Sequence, residues 1–165
     1  MSLLAWWAGW PAALKVFLLA MLPLTELRAS IPVGILAYQM TPLAAFWWSV
    51  LGDIVPVIFI YFLLRGLVGW LRAHFSFFDR LFSWWFRRIE RKFAPAYRHW
   101  GIWALFIFVA LPLPGTGAWA GITAAYLLSL NFQKSFLAIA AGAATAGLLV
   151  TLATLGVFNL FGLFT

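Results

Sequence analysis

The chain has 165 residues, of which 65% are hydrophobic and only 9% charged, where soluble domains carry roughly a quarter charged residues. So little charge cannot clothe a water-soluble surface, and so apolar and aromatic a chain does not belong to the intrinsically disordered class. Eleven Lys and Arg against four Asp and Glu leave a net charge of +7, and there is no cysteine, which excludes disulfides, thiolate metal sites and cysteine nucleophiles.

In chain order, no basic residue precedes Lys15 and no small-residue cleavage site closes the Trp6–Leu22 run, so no removable targeting segment is expected. Ala12–Met21 predicts a short helix that stops before Pro23, and Leu27–Met40 predicts a second one after it. Each half spans about 15–20 Å at 1.5 Å per residue, against the roughly 30 Å of a bilayer's hydrocarbon. A re-entrant hairpin fits these lengths; a single proline-kinked spanning helix is the competing reading. Leu43–Leu64 is long and apolar enough to cross.

The chain then turns basic. Arg65, Arg72, Arg80, Arg87, Arg88, Arg91, Lys92 and Arg98 all fall between positions 65 and 98. Positive segments resist translocation, so this connector is expected on the cytoplasmic side. Leu71, Phe75, Phe78, Phe82, Trp85, Ile89 and Phe93 recur at steps of three and four, which predicts an amphipathic helix lying in the interface of an anionic leaflet. It either gathers anionic lipid or simply anchors the protein. Neither an RNA-binding nor a helix-turn-helix pattern accompanies the charge, so no nucleic-acid partner is expected.

Ile102–Leu111 is again of half length and is followed by Pro112-Leu113-Pro114-Gly115-Thr116-Gly117, after which Ala118–Leu130 resumes the apolar pattern. Ser135–Leu160 is the second full span. On it Ala138, Gly142 and Ala146, with Ala141 and Thr145 alongside, make a small-residue face, suited to packing against the hairpins or a second protomer in a homodimer.

The two broken segments match one another. Leu22-Pro23-Leu24 recurs as Leu111-Pro112-Leu113, Thr25 as Thr116, Ala37-Tyr38 as Ala125-Tyr126, Phe46 as Phe136 and Gly52 as Gly142, all at offsets of 88 to 91 residues. The expected architecture is an all-α integral membrane protein of one domain, residues 1–165. Repeat 1 covers about 10–65, the basic connector 66–99 and repeat 2 about 100–165. A hairpin crosses the membrane no times and a spanning helix once, so the second repeat enters from the opposite face. The repeat is therefore expected to be inverted, with the hairpin tips meeting near the midplane.

Few residues are equipped for chemistry. Glu26 opens the second half-helix beside Thr25 and two residues before Arg28. A carboxylate at membrane depth costs about 2.5–3.5 kcal/mol, and a helix N-terminus is the place that offers it free amides. Glu26 and Arg28 neutralising each other while Thr25 caps the helix is the structural alternative. Asp53 lies near the middle of a span, flanked by Gly52 and by Pro56, which frees the Gly52 carbonyl. Its charged form is costly there, which makes it a candidate proton carrier, the alternative being a polar contact between helices. Gly115, Thr116 and Gly117 can form an uncharged nest of amides for an anion, or their neighbours' freed carbonyls can face a cation. Hydrolase, zinc-protease and P-loop motifs are missing, and His74 and His99 lie in the connector. No enzyme activity, cofactor or metal is expected.

The run from Pro23 through Thr25-Glu26-Leu27-Arg28 to Gly34 resembles the signature of the small multidrug export family. Leu111–Trp119 resembles its second signature, and Gly52-Asp53 also fits. The order of hairpins and spans is distantly similar to the DedA superfamily, whose members include translocases of undecaprenyl phosphate. That similarity implies a bacterial inner-membrane location and maps essential acidic residues onto Glu26 and Asp53. The arginines which that superfamily carries near the second hairpin are replaced here by Pro-Leu-Pro-Gly. Three functions compete: a proton-coupled translocase of an anionic lipid phosphate, which is the leading expectation; a proton-coupled exporter of small cationic drugs; and a non-transporting membrane assembly factor. In the first two, Thr25, Glu26, Arg28, Asp53, Gly115, Thr116 and Gly117 are the expected substrate- and proton-binding residues.

Overall fold

In a computed structural model the described residues, 9–64, 66, 70, 74–111 and 115–162, are helical with short turns. The helices are α1 (Ala12–Ala20), α2 (Glu26–Pro32, continued by a π-helical turn Val33–Ala37), α3 (Pro42–Leu63), α4 (Ser76–Trp100), α5 (Ile102–Ala110), α6 (Ala118–Leu127) and α7 (Phe132–Gly162). The breaks fall where the prolines and glycines place them. Pro112, Leu113 and Pro114 of the second break, Arg65, Leu71 and Arg72 of the connector, and the side chains of Phe78, Ile89, Lys92 and Arg98 lie outside the described residues. Pro42–Leu63 and Phe132–Gly156 are long and apolar enough to cross a membrane.

The chain divides into two compact units, one made of Met1–Asp53 with Ala146–Thr165, the other of Ile54–Thr145. In the first, α1 and α2 lie against one another. They run antiparallel: a Cβ on Gly34 would stand 3.1 Å from a Val16 methyl, and at the open end the Lys15 ammonium sits over the Tyr38 ring, 5.2 Å from its centroid. The first broken segment thus folds back on itself as a helical hairpin, not as one kinked rod. Val16, Ala20, Leu27, Ile31, Ala45 and Val50 form its core. Pro32 removes an amide from α2, and the next turn widens, with the Tyr38 amide donating to the Val33 carbonyl.

In the second unit α5 and α6 pair in the same way, a Cβ on Gly121 falling 2.7 Å from Val109. Here α4 packs on both, burying Phe86 and Phe93. Part of its apolar stripe therefore faces protein where the sequence pattern assigned it to lipid. Gly101, at φ 57°, ends α4 with its amide on the Tyr97 carbonyl and turns the chain into α5.

The same local features recur in both units. Gln39 and Ser129 both take φ 52° at the end of the second hairpin arm. Two residues on, Thr41 Oγ1 accepts from the Ala44 amide and Asn131 Oδ1 from that of Lys134, capping α3 and α7. Gly52 of α3 abuts the Phe17 carbonyl of α1, and Gly142 of α7 abuts the Phe106 carbonyl of α5. That contact uses the small-residue face of α7 within the chain.

Candidate functional site

Glu26 and Asp53 both belong to the first unit. Glu26 is the first residue of α2 and has a positive φ of 45°. That torsion is uncommon for a residue with a side chain, and here it aims α2 back along α1 after the turn. Its side chain is buried, at 6% exposure, and its amide donates to the Leu22 carbonyl at 2.9 Å. Arg28 Nε lies 3.8 Å from Glu26 Oε2, a long ion pair, and the Arg28 side chain is 22% exposed.

Asp53 belongs to α3 and is 1% exposed. It lies within the electrostatic reach of Glu26 and Arg28. Its Oδ1 is buried with no hydrogen-bond partner, and an acceptor in that state costs about 1–3 kcal/mol or more when charged. The Gly52 position explains how Asp53 gets there: α3 approaches α1 until backbone touches backbone, and a side chain at 52 would prevent it. Pro56 one turn later withholds the amide that the Gly52 carbonyl would otherwise receive. Two acids, one guanidinium and an unanswered oxygen make a site fit for a proton or a cation.

Thr25 caps nothing. Its hydroxyl donates back to the Leu19 carbonyl of α1, which fastens the turn in place of the cap that the structural alternative supposed. Thr116 in the second unit does the equivalent, donating to the Leu111 carbonyl at 2.8 Å. Gly115 and Gly117 have φ of 76° and 121°, torsions that side chains rarely adopt. Thr25, Glu26, Arg28 and Asp53 thus share one unit, and Gly115, Thr116 and Gly117 the other. Among the described residues no three His, Asp or Glu gather to hold a metal.

Two features escaped the sequence reading. Ser30 donates to Ser49 at 2.7 Å, with both fully buried; each stands four residues from one of the acids, and that spacing was the available signal. In the second unit Tyr61, Tyr126, Ser129 and Leu130 line a cavity of about 260 Å³ at the end of α6, which no linear pattern announces.

Among known proteins, the model of a family described as "putative small multi-drug export protein" matches residues 26–149. No curated protein and no solved structure matches the chain.

Proposed function

The chain belongs to the small multi-drug export family, a family of membrane transporters by its description, and we propose that this member exports small organic cations in exchange for protons. Glu26 and Asp53 are its working groups. The observation that carries this reading is the burial of two carboxylates against a single, partly exposed arginine, with Asp53 Oδ1 lacking any donor. An ionised carboxylate attracts the cation; a proton taken up by the same oxygen cancels that attraction and releases it. Each cycle forms one O–H bond as the cation leaves and breaks it as the next cation enters, so proton and drug move in opposite directions.

The two hairpins are proposed to be re-entrant, opening to opposite faces of a bacterial inner membrane, with the 65–98 connector in the cytoplasm. The recurrence of the same turns, caps and glycine contacts in both units supports the repeat. Thr25, Thr116, Gly115 and Gly117 then shape the hairpin tips. The exposed arginines Arg87, Arg88 and Arg91 of α4 face an anionic leaflet. The partial exposure of Arg28 favours a second reading, in which the same fold moves an anionic lipid phosphate past that guanidinium.

Purified protein in liposomes decides between them. With a pH gradient, tetraphenylphosphonium is expected to accumulate, and Asp53→Asn or Glu26→Gln to abolish the accumulation. A labelled polyprenyl phosphate that moves while the cation does not, with movement lost in Arg28→Ala, overturns the cation reading in favour of the lipid one.

A further inference from the structure

The bond between Ser30 and Ser49 plays no part in the cycle just described, yet its placement is specific. Ser30 follows Glu26 by four residues on α2, and Ser49 precedes Asp53 by four on α3, so hydroxyls and carboxylates occupy successive turns. Four helical threonines of this protein turn inward to the carbonyl four residues back: Thr123 to Trp119, Thr145 to Ala141, Thr151 to Gly147 and Thr154 to Val150. Ser30 and Ser49 meet across two helices instead. Their one bond uses the Ser30 proton, which leaves the Ser49 proton outside that bond and able to turn to another acceptor. Asp53 Oδ1, one turn away, is an acceptor with no donor. On α4 a serine and an aspartate four residues apart, in the opposite order, bond at 3.5 Å (Ser83 to Asp79); Ser49 and Asp53 Oδ1 are not bonded in the structure, so their meeting requires the Ser49 side chain to turn.

The second unit serves as a control built into the molecule. The register that pairs Thr25 with Thr116 and Gly52 with Gly142 sets Gly117 and Ala143 where the first unit has Glu26 and Asp53. It also sets Gly121 and Ile139 where the first has Ser30 and Ser49. Gly121 lies against Ile139, 3.4 Å from an added Cβ. The helices α6 and α7 pack there without hydroxyls at these two positions, and neither carries a carboxylate. Packing alone therefore does not call for the serine pair.

We propose that Ser49, backed by Ser30, is the positioning residue for the proton cycle at Asp53, an assignment that rests on the proton-coupled reading above. With Asp53 ionised, the Ser49 hydroxyl turns toward Oδ1 and donates to it. When Asp53 takes up a proton, its new O–H donates to Ser49 Oγ, and the Ser49 proton turns to the Ala45 carbonyl four residues back. The serines neither gain nor lose a proton; they give each state of the acid a partner. The charged groups bearing on Asp53 in this unit are Glu26 and Arg28. Lys15 of α1 lies over Tyr38, and residues 146–162 of α7 carry no charge.

The test uses the full chain in liposomes and measures three things: tetraphenylphosphonium uptake driven by a pH gradient, its downhill exchange with no gradient, and thermal unfolding. Ser49→Ala is expected to lower the driven rate by about tenfold, as leaving a buried acid without its hydrogen-bond partner does, while leaving exchange and unfolding unchanged. Ser49→Thr, which keeps the hydroxyl, restores the driven rate. Ser30→Gly with Ser49→Ile, the pair taken from the second unit, folds and exchanges but does not couple. Driven uptake untouched by Ser49→Ala overturns the assignment alone, as does a parallel fall of driven uptake and exchange that Ser49→Thr fails to rescue. A native protein that shows no pH-driven uptake overturns the coupled reading and this assignment with it.

Discussion

A methyl group added at Gly52 would lie 2.3 Å from the Phe17 carbonyl oxygen, and one at Gly142 would lie 2.9 Å from that of Phe106. Neither obstacle is the end of a flexible side chain, so Gly52→Ala is expected to destabilise by about 1–3 kcal/mol, as overpacking does. Gly156→Ala meets nothing within 4 Å and should be neutral or stabilising by up to about 1 kcal/mol. Thermal unfolding in detergent checks both, and equal effects at the two positions would contradict the close approach that seats Asp53. At this scale the sequence was readable wherever a residue is expensive. Glu26 and Asp53 stand out because a carboxylate in an apolar run demands a reason, and the structure buries both. Ser30 and Ser49 did not stand out, because a serine costs little anywhere and its significance lies in the partner brought to it by a different helix. A Thr25 cap on α2 is the structural alternative the sequence offers; with the chain turning sharply at Glu26, the hydroxyl instead donates to the Leu19 carbonyl of α1.

The helices themselves were legible from punctuation. Prolines closely follow the ends of α1 and α5, and Gly117 precedes the start of α6, all within a few residues of the expected places, since a missing amide or a freed torsion acts locally. The π-helical turn after Pro32 was not legible, because nothing in the side chains distinguishes it from α-helix; it follows from how the hairpin arm must reach the Gln39 turn. For α4 the period gave the helix and its two faces, but not what covers the apolar one. Phe93, which is fully buried, makes edge contact with Phe108 of α5 at 5.3 Å. Phe93→Ala is therefore expected to cost about 3–5 kcal/mol of stability, whereas a helix held only by lipid would lose no unfolding temperature. On the other face, replacing Arg87, Arg88 and Arg91 by Gln should leave folding intact and reduce retained anionic lipid, each arginine being worth about 1 kcal/mol. Native mass spectrometry counts those lipids, and zwitterionic lipid should be retained as before.

At the scale of the molecule, the account requires two hairpins that enter the membrane and leave on the side from which they came, one from each face. Such a design would let so short a chain offer a buried acid to both compartments in turn. Composition pointed to the membrane, and the breaks in the pattern to paired half-helices, which fold back within their own units as Val16 with Gly34 and Val109 with Gly121 show; that these pairs are re-entrant belongs to the proposal. The sidedness of the hairpins is a property of chain and bilayer together, so it is measured rather than read. The natural absence of cysteine makes the measurement clean. Single cysteines at Pro11, before α1, at Leu43, at the start of α3, and at Gln133, in the matching turn of α7, are labelled with a membrane-impermeant maleimide in vesicles of known orientation. The account predicts that Pro11→Cys and Leu43→Cys are modified from the outside and Gln133→Cys only from the cytoplasmic face. Pro11→Cys and Leu43→Cys modified from opposite faces, or all three from one, would contradict it.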